Sequence, residues 1–360
     1  MTPRTAPAPF SPRRKRALFA LYLGLLLVLL AGGGEIVARL KGVRPYQLAP
    51  INIAKVEPGG KFYTPHPDRG YTQLPGQFKI TLTDGYTFTV THDTNGLRIT
   101  HPPSAPVTPP KQGIWILGCS LTHGWSLNDA ETYPWLVQQA LPGREVVNAG
   151  MMGYGTLQSR LLFQDLLKSR PPPAVVVLAY GTFHDFRNTF IRLRRKAVAP
   201  YNRLGPLVQP YARLSSAGDL DYFMAPVEYV EFPFMRHSAL SHLLEMEYDN
   251  HEARASHSDV VSRMLVSNLA TFCEKNGIKF VLAGISSDSG PMLAFCQGRG
   301  IAAVDISVVL AEPGNRNLPH DDHPSPAANR VYAQKLAEYL TSQVLTPPQP
   351  ARPPDNTIKQ

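Results

Sequence analysis

Ser120 and His323 are the two residues of this sequence that are best suited to nucleophilic chemistry. Ser120 follows a short apolar run and a glycine and precedes an amphipathic stretch, so we predict a strand, a tight turn and a helix around it. His323 comes about 200 residues later, beside Asp321 and Asp322. A serine becomes a nucleophile when a nearby base takes its proton, and a histidine with an ordinary pKa of about 6.5 can do so near neutral pH. These residue types predict a triad of nucleophile, base and acid.

A site of this kind also needs hydrogen-bond donors for the oxyanion that forms when a serine attacks an acyl carbon. The backbone N–H groups of Ser120 and Gly153 are candidates, because the missing side chain of Gly153 allows a close approach. No spacing of His, Cys and Asp indicates a metal site, and no glycine-rich phosphate loop is complete. We therefore expect neither a metal nor a cofactor.

From residue 113 onward, short apolar runs alternate with helical patterns, which predicts an α/β fold with a parallel sheet between two layers of helices. The predicted strands are 113–118, 145–148, 174–180, 278–284 and 301–305. The predicted helices are 131–141, 156–169, 257–276, 291–299 and 325–343. Residues 185–255 break this alternation and are predicted to be an insertion that serves as a lid or a substrate platform.

The segment 44–110 precedes this domain and lacks helical periodicity. Two alternating stretches, 78–83 and 86–91, flank the dipeptide Asp-Gly at 84–85, which favours a two-residue hairpin turn. We therefore predict a small β-rich subdomain with a proline-rich linker at its end, followed by a catalytic domain over 111–345.

The net charge of +9 is concentrated near the N-terminus, where residues 1–45 hold eight Arg and Lys against one Glu. The rest of the chain offers little basic surface, so we expect no nucleic-acid partner. Residues 17–34 are apolar and would span about 27 Å as a helix, enough to cross a hydrocarbon core. We predict a transmembrane signal-anchor helix at 17–40 with a cytoplasmic N-terminus and an extracytoplasmic body. A signal peptide cleaved near 31–33 is the alternative.

Several smaller features have simple interpretations. The basic segment 1–16 and the tail 346–360 are predicted to be disordered. The basic run 192–196 is predicted to be a solvated charged face, with contact to an acidic glycan as the alternative. Cys273 and Cys296 are predicted to be small core residues, although a disulfide between them is an alternative in an exported domain.

Four short blocks together resemble the SGNH/GDSL hydrolase family. Residues 116–124 (ILGCSLTHG) resemble its first block, which carries the nucleophile, and 148–156 (NAGMMGYGT) resemble the second, which supplies an oxyanion glycine. Residues 180–185 fall at the third block, and 321–325 (DDHPS) resemble the last, which carries the acid and the base. The blocks occur in the family's order, and the resemblance covers about residues 113–343.

The resemblance implies a flavodoxin-like three-layer fold with Ser120 as nucleophile and His323 as base. It implies oxyanion donors at Ser120 and Gly153, and it places His184 where the family usually has a donating asparagine. A neutral histidine can donate through one ring nitrogen, so His184 could fill that role.

The sequence departs from the family's usual pattern at two further positions. Cys119 stands where the first block usually has an aspartate. The acid often lies three residues before the base, and that position is His320 here. We assign the acid to Asp321, as in relatives with an Asp-x-His pattern, and keep Asp322 in reserve.

Together these features predict a membrane-anchored, exported serine esterase. Exported members of the family with a comparable N-terminal region are thought to act on cell-surface glycans, so the expected substrate is an acylated, especially acetylated, carbohydrate or cell-envelope glycan. An O-acyltransferase with the same site is one alternative, and a non-catalytic glycan-binding or assembly protein on a degenerate hydrolase core is another. The sequence identifies no protein partner.

Overall fold

A computed structural model of the chain describes residues 11–48, 51–104, 111–204 and 207–346. Its β-strands are β1 (Lys55–Glu57), β2 (Tyr63–His66), β3 (Gly70–Gln73), β4 (Gly76–Thr81), β5 (Thr87–His92), β6 (Lys111–Gly118), β7 (Arg144–Gly150), β8 (Val175–Tyr180), β9 (Val208–Leu214), β10 (Leu220–Pro226), β11 (Lys279–Gly284) and β12 (Ala303–Asp305). Its α-helices are α1 (Pro12–Leu40), α2 (Ser120–His123), α3 (Tyr133–Ala140), α4 (Thr156–Leu166), α5 (Phe183–Thr189), α6 (Arg192–Val198), α7 (Ala239–Ala255), α8 (Ser258–Lys275), α9 (Gly290–Gly298) and α10 (Pro326–Tyr339).

Five strands form a parallel sheet in the order β12-β11-β8-β6-β7. Numbered along the chain among themselves, these strands have the order 2-1-3-4-5, which defines the flavodoxin-like, doubly wound fold. Every strand that was predicted from the sequence is present. The strand order reverses between β6 and β8, and ligands of open α/β sheets bind beyond the carboxyl ends of the strands at such a point.

Helices cover both faces of the parallel sheet. Successive residues of a strand point to opposite faces, so Leu117 of β6 packs in the cluster that contains α4, α8 and α9, whereas Ile116 packs in the cluster that contains α3 and α10. Both side chains are fully buried. The predicted three-layer α/β fold is confirmed. The two core cysteines, Cys273 and Cys296, are buried free thiols, so the alternative disulfide does not form.

The predicted hairpin is formed by β4 and β5, and β1 completes an antiparallel sheet in the order β1-β4-β5. The predicted two-residue turn was wrong, because Thr81 pairs with Thr87 and the Leu82 N–H donates to the Tyr86 carbonyl, which leaves three residues, 83–85, in the turn. Buried aromatic side chains, including Phe78 and Phe88, fill one side of this sheet. Arg98 forms isolated bridges to His92 of β5 and to Asn148 of β7, and in this way it joins the antiparallel sheet to the edge of the parallel one. Both sheets belong to the same compact unit, Ile51–Glu228 with Ala253–Gln360.

The second compact unit comprises Met1–Pro50 with Tyr229–Glu252 and contains α1 and most of α7. The Glu35 carboxylate of α1 accepts hydrogen bonds at the start of α7, from the N–H groups of Ala239 (3.0 Å) and Leu240 (2.9 Å). It therefore caps α7 from a different helix, satisfying amide groups that have no partner within α7.

Helix α1 is long and apolar enough to cross a membrane by length and composition, with a mean hydropathy of 2.2 over 18 residues, and a signal sequence passes the same test. It begins at Pro12, before the predicted start at 17, so the prediction of disorder was wrong for residues 12–16. Ser11 accepts a hydrogen bond from the Arg14 N–H and Pro12 occupies a first-turn position, which together favour this earlier start. The remainder of the predicted disordered segments, at 1–10 and 347–360, lies outside the described residues.

Candidate active site

Ser120 is the first residue of α2 and follows the carboxyl end of β6 after a single residue, Cys119. The helix ends after one turn because Gly124 adopts the left-handed conformation, with φ of 81°. A side chain at Gly150, at the end of β7, would clash with the backbone of Thr122 and His123. The close approach at Gly150 therefore holds the turn of Ser120 against the edge of the sheet.

Arg98 fixes this turn from the antiparallel sheet, and sequence reasoning missed it. Its guanidinium is buried and donates to the backbone carbonyls of His123 (2.9 Å), Gly124 (2.5 Å) and Leu127 (2.6 Å). The Asp129 carboxylate, 3.0 Å from Nε, balances its charge. An isolated arginine after a strand carries no sequence signal of such a role, because the role depends on distant carbonyl groups.

His323 lies between Ser120 and Asp321. Its Nε2 is 3.0 Å from Ser120 Oγ, and its Nδ1 is 2.5 Å from Asp321 Oδ1. Asp321 also accepts hydrogen bonds from the His323 backbone N–H (2.8 Å) and from Trp125 Nε1 (3.3 Å). Burial alone would raise the pKa of Asp321, but these hydrogen bonds and the nearby imidazole lower it from its ordinary value. A carboxylate held ionised in this position can fix the tautomer of His323 and stabilise its protonated form.

The reserve acid Asp322 and His320, which stands at the family's usual acid position, both contact other groups. The Asp322 side chain is 79% exposed and pairs with Arg316 at 2.9 Å. His320, three residues before the base, is 2.6 Å from the Asp84 carboxylate. Of the two predicted acids, Asp321 and Asp322, only Asp321 contacts the imidazole of His323 in the described part of the chain.

Gly153 lies in the loop after β7 and adopts a φ of 70°. A Cβ atom there would lie 2.8 Å from Tyr71 Oη and 3.4 Å from Arg194 Nη1, so glycine is required by both conformation and space. The N–H groups of Ser120 and Gly153 donate no hydrogen bond to any residue that the structure describes. Both residues line the same cavity, so the role of their N–H groups as oxyanion donors stays a prediction that this arrangement allows.

His184 is not among the residues that line this cavity. Its ring is fully buried, with Nδ1 3.2 Å from Thr156 Oγ1 and with Nε2 lacking a hydrogen-bond partner in the described part of the chain. Burial, together with the charges of Arg187 and Arg194, holds the pKa of His184 well below its ordinary value. This environment disfavours the protonated ring, and the contribution of His184 to an oxyanion site stays a prediction.

The cavity beside Ser120 has a volume of about 240 Å³. Its walls combine residues of the parallel-sheet loops, of β2 and β3, and of the segment after α5: Tyr63, Thr64, Pro65, Tyr71, Ser120, Met152, Gly153, Arg187, Arg194, Ala197, Val198, Tyr201, Leu207 and His323. Part of the predicted insertion thus forms one wall of the cavity. Arg194, predicted to be solvated, is buried at 4% exposure, because its guanidinium lies against the Gly153 loop. Among the described residues no group of three His, Cys, Asp or Glu could hold a metal ion.

Neither a protein-family model nor a curated protein matches this chain. Three solved structures with similarity to it carry hydrolase descriptions. A member of the lipolytic protein G-D-S-L family from Veillonella parvula has 11% identity and a TM-score of 0.38, over 64% of this chain and 100% of that one. A GDSL-like lipase from Bacteroides thetaiotaomicron has 14% identity and a TM-score of 0.35, over 64% and 88%. A catalytic mutant of an acetylxylan esterase from Geobacillus stearothermophilus has 13% identity and a TM-score of 0.35, over 65% and 95%.

Proposed function

We propose that this chain is a serine esterase of the SGNH type that hydrolyses an acyl ester with Ser120, His323 and Asp321. The observation that carries the proposal is the pair of contacts at His323, 3.0 Å to Ser120 Oγ and 2.5 Å to Asp321 Oδ1. These contacts occur at the carboxyl edge of a flavodoxin-like sheet and beside a cavity. A nucleophile, a base and an orienting acid within hydrogen-bond reach are the geometric requirement for nucleophilic catalysis.

In the proposed reaction, His323 Nε2 takes the proton of Ser120 as Oγ attacks the ester carbonyl carbon. The resulting oxyanion is stabilised by the N–H groups of Ser120 and Gly153. The intermediate collapses, the C–O bond of the ester breaks, and His323 gives its proton to the departing alcohol. Water then attacks the acyl-enzyme, His323 takes a proton from that water, and the acid leaves as Ser120 regains its proton.

The proposed substrate is an acylated carbohydrate, with acetyl as the simplest acyl group. A cavity of about 240 Å³ is small for a binding site, which favours a short acyl chain over a long lipid chain. The similarity to an acetylxylan esterase is compatible with this proposal. An O-acyltransferase would share the first half-reaction, but a sugar hydroxyl would then attack the acyl-enzyme in place of water. Faster consumption of the ester in the presence of a sugar, without release of free acid, would indicate this alternative.

The proposed location is the outer side of a membrane, anchored by α1 with the N-terminus in the cytoplasm. The apolar length of α1 and the basic residues at its start, Arg13 to Arg16, support this orientation. Reporter fusions after residue 60 test it. We expect activity from a reporter that works outside the cytoplasm, whereas activity from a cytoplasmic reporter would contradict the orientation, and a mature N-terminus near Gly34 would show cleavage.

The experiment that tests the proposed activity is hydrolysis of p-nitrophenyl acetate by the full chain in detergent. Wild type should turn over the ester, and Ser120→Ala should lose at least about 10³-fold in kcat/KM. Ser342→Ala, at an exposed serine after α10, is the matched control and should keep the wild-type rate. Equal rates for wild type and Ser120→Ala would overturn the proposal.

A further inference from the structure

Two arginines line the cavity that contains Ser120. Arg187 belongs to α5 and Arg194 to α6, so both come from the segment that follows β8. Arg194 is 4% exposed, and Arg187 is half-buried. Guanidinium groups stay protonated in proteins, so each brings a full positive charge to the wall of the cavity.

Both guanidinium groups are held in place by backbone carbonyls of the loop after β7. Arg194 Nη2 donates to the Gly153 carbonyl at 2.7 Å and to Tyr71 Oη at 3.3 Å. Arg187 Nη1 donates to the Tyr154 carbonyl at 3.0 Å. These contacts use only part of each group, since the Nε atoms of both arginines are buried without a partner in the described chain.

No carboxylate of the described residues forms an ion pair with either arginine, and no Asp or Glu lines the cavity. Asp321, the acid that acts with Ser120 in the proposed site, is already paired with His323. Burial lowers the pKa of Arg194, and the charge of Arg187 acts in the same direction, whereas Tyr71 and Tyr201 raise it; neither tyrosine is a carboxylate that would pair with these cations. Buried charge without a counter-charge is costly, and an anionic ligand would relieve that cost.

We propose that Arg187 and Arg194 bind a carboxylate of the substrate, so that the preferred substrate is an acyl ester that carries a negative charge near the scissile bond. This inference rests on the proposed esterase function, because it places the anion in the cavity of Ser120. Arginine suits this role because its planar fork matches the two oxygens of a carboxylate. The carboxylate belongs either to the acyl half, as in a dicarboxylic half-ester, or to the alcohol half, as in an acidic sugar.

Matched pairs of esters distinguish these two positions. For the acyl half, kcat/KM is compared between mono-p-nitrophenyl succinate and p-nitrophenyl butyrate, which have equal chain length. For the alcohol half, 3-carboxyphenyl acetate is compared with its neutral amide, 3-carbamoylphenyl acetate. We expect the full chain in detergent to prefer the anionic member of at least one pair by about tenfold or more, as for charge-assisted hydrogen bonds.

Substitution of Arg187 tests the assignment without removing the contact of Arg194 to Gly153. Arg187→Met should lower the anionic preference by about tenfold while changing kcat/KM of the neutral ester much less, and Arg187→Lys should retain part of the preference. Lys275→Met removes an exposed positive charge from the end of α8, before β11 begins, and should leave the preference unchanged. A preference that Arg187→Met does not alter would overturn the proposal.

A binding measurement separates failure of this inference from failure of the esterase function. Calorimetry on Ser120→Ala, which lacks the proposed nucleophile, compares monomethyl succinate with methyl butyrate, and methyl 3-carboxyphenyl ether with its amide. Tighter binding of an anionic compound, lost in Ser120→Ala/Arg187→Met, supports the anion site even if wild type hydrolyses nothing. Turnover of neutral esters with no anionic preference in rate or binding would reject the anion site and leave the esterase function standing.

Discussion

His320 and Asp84 are joined by a hydrogen bond, with 2.6 Å between Nδ1 and Oδ2, although 236 positions separate them in the chain. The imidazole of His320 also stacks on Tyr86, with 4.2 Å between ring centroids. The hydrogen bond from His320 lowers the pKa of Asp84. These contacts tie the β4–β5 hairpin turn to the loop that carries Asp321 and His323.

We predict that Asp84→Asn lowers kcat/KM for an ester by about two- to fivefold, because one contact between exposed polar side chains contributes only modestly to holding a loop. Asp219→Asn changes the same residue type at the exposed turn between β9 and β10 and should have no effect. The measurement is steady-state kinetics of both variants. Identical rates for Asp84→Asn and Asp219→Asn would show that the hairpin contact does not position the catalytic loop.

The two adjacent aspartates should behave very differently. Asp321→Asn removes the carboxylate that contacts His323 and should lower kcat by at least about 10²-fold, because the tautomer is no longer fixed and the imidazolium is no longer stabilised. Asp322→Asn should stay within about twofold of wild type, because exposed ion pairs contribute little. Steady-state kinetics on one ester decides between them, and a larger loss in Asp322→Asn would reverse the assignment.

His184 is predicted to donate to the oxyanion through its unpartnered Nε2. A hydrogen bond to the oxyanion is stronger in the transition state than in the bound substrate. His184→Ala should therefore lower kcat by about 10²–10³-fold with little change in KM. His184→Asn restores the family's usual donor and should retain more activity than His184→Ala. Wild-type rates in both variants would make His184 a bystander, and a parallel loss of thermal stability would assign it a structural role.

A buried histidine pair behind the serine turn predicts a pH-dependent stability. His92 Nδ1 is 2.8 Å from the Leu74 carbonyl and Nε2 is 3.0 Å from His123 Nε2. The carbonyl accepts from Nδ1–H, so His92 Nε2 accepts from His123 in the neutral pair. Burial lowers the pKa of His92 to about 4, and burial together with Arg98 and His92 lowers the pKa of His123.

A depressed pKa in the folded state means that the unfolded chain binds more protons between pH 6.5 and 4. The free energy of unfolding should therefore be highest above about pH 6.5, where both histidines are neutral in the folded and unfolded chains. It should fall as the pH drops to about 4, by about 3 kcal/mol for His92 alone. Chemical denaturation across this range measures the slope. His92→Asn keeps a donor for the Leu74 carbonyl and should make the free energy of unfolding depend less on pH. His251→Asn, at an exposed position, should leave the pH dependence unchanged. Equal slopes in the wild type and both variants would show that His92 does not cause the pH dependence.

The parallel-sheet domain was predictable because each of its strands is a short apolar run followed by a helical pattern. The existence of the hairpin around 84–85 was predictable because Asp-Gly favours a turn between two alternating runs, but its three-residue length was not, and the strand register differs from the predicted one by one residue. In contrast, the antiparallel pair β9 and β10 was not predicted. Pro210 lies within β9, opposite Met224 of β10, and a proline in such a run argues against a strand unless the strand lies at an edge.

The parts of the site that sequence reasoning missed are those that depend on contacts between distant segments. Arg194 belongs to a basic run that resembles a solvated face, yet its guanidinium is buried against the Gly153 loop. Arg98 acts on carbonyl groups that no side-chain pattern marks. The nucleophile and base could be named because strand–turn–helix geometry and family resemblance point to Ser120 and His323.

The most direct test of the central claim is to identify the residue that becomes covalently modified. The full chain in detergent is treated with a fluorophosphonate, which reacts with an activated serine nucleophile, and the adduct is located by peptide mass spectrometry. We predict one adduct, on Ser120, and none on Ser120→Ala. We also predict strongly slowed labelling of His323→Ala, because the base that activates Oγ is 3.0 Å away in the wild type. No adduct, an adduct on another residue, or equal labelling of Ser120→Ala would contradict the assignment of Ser120 as nucleophile.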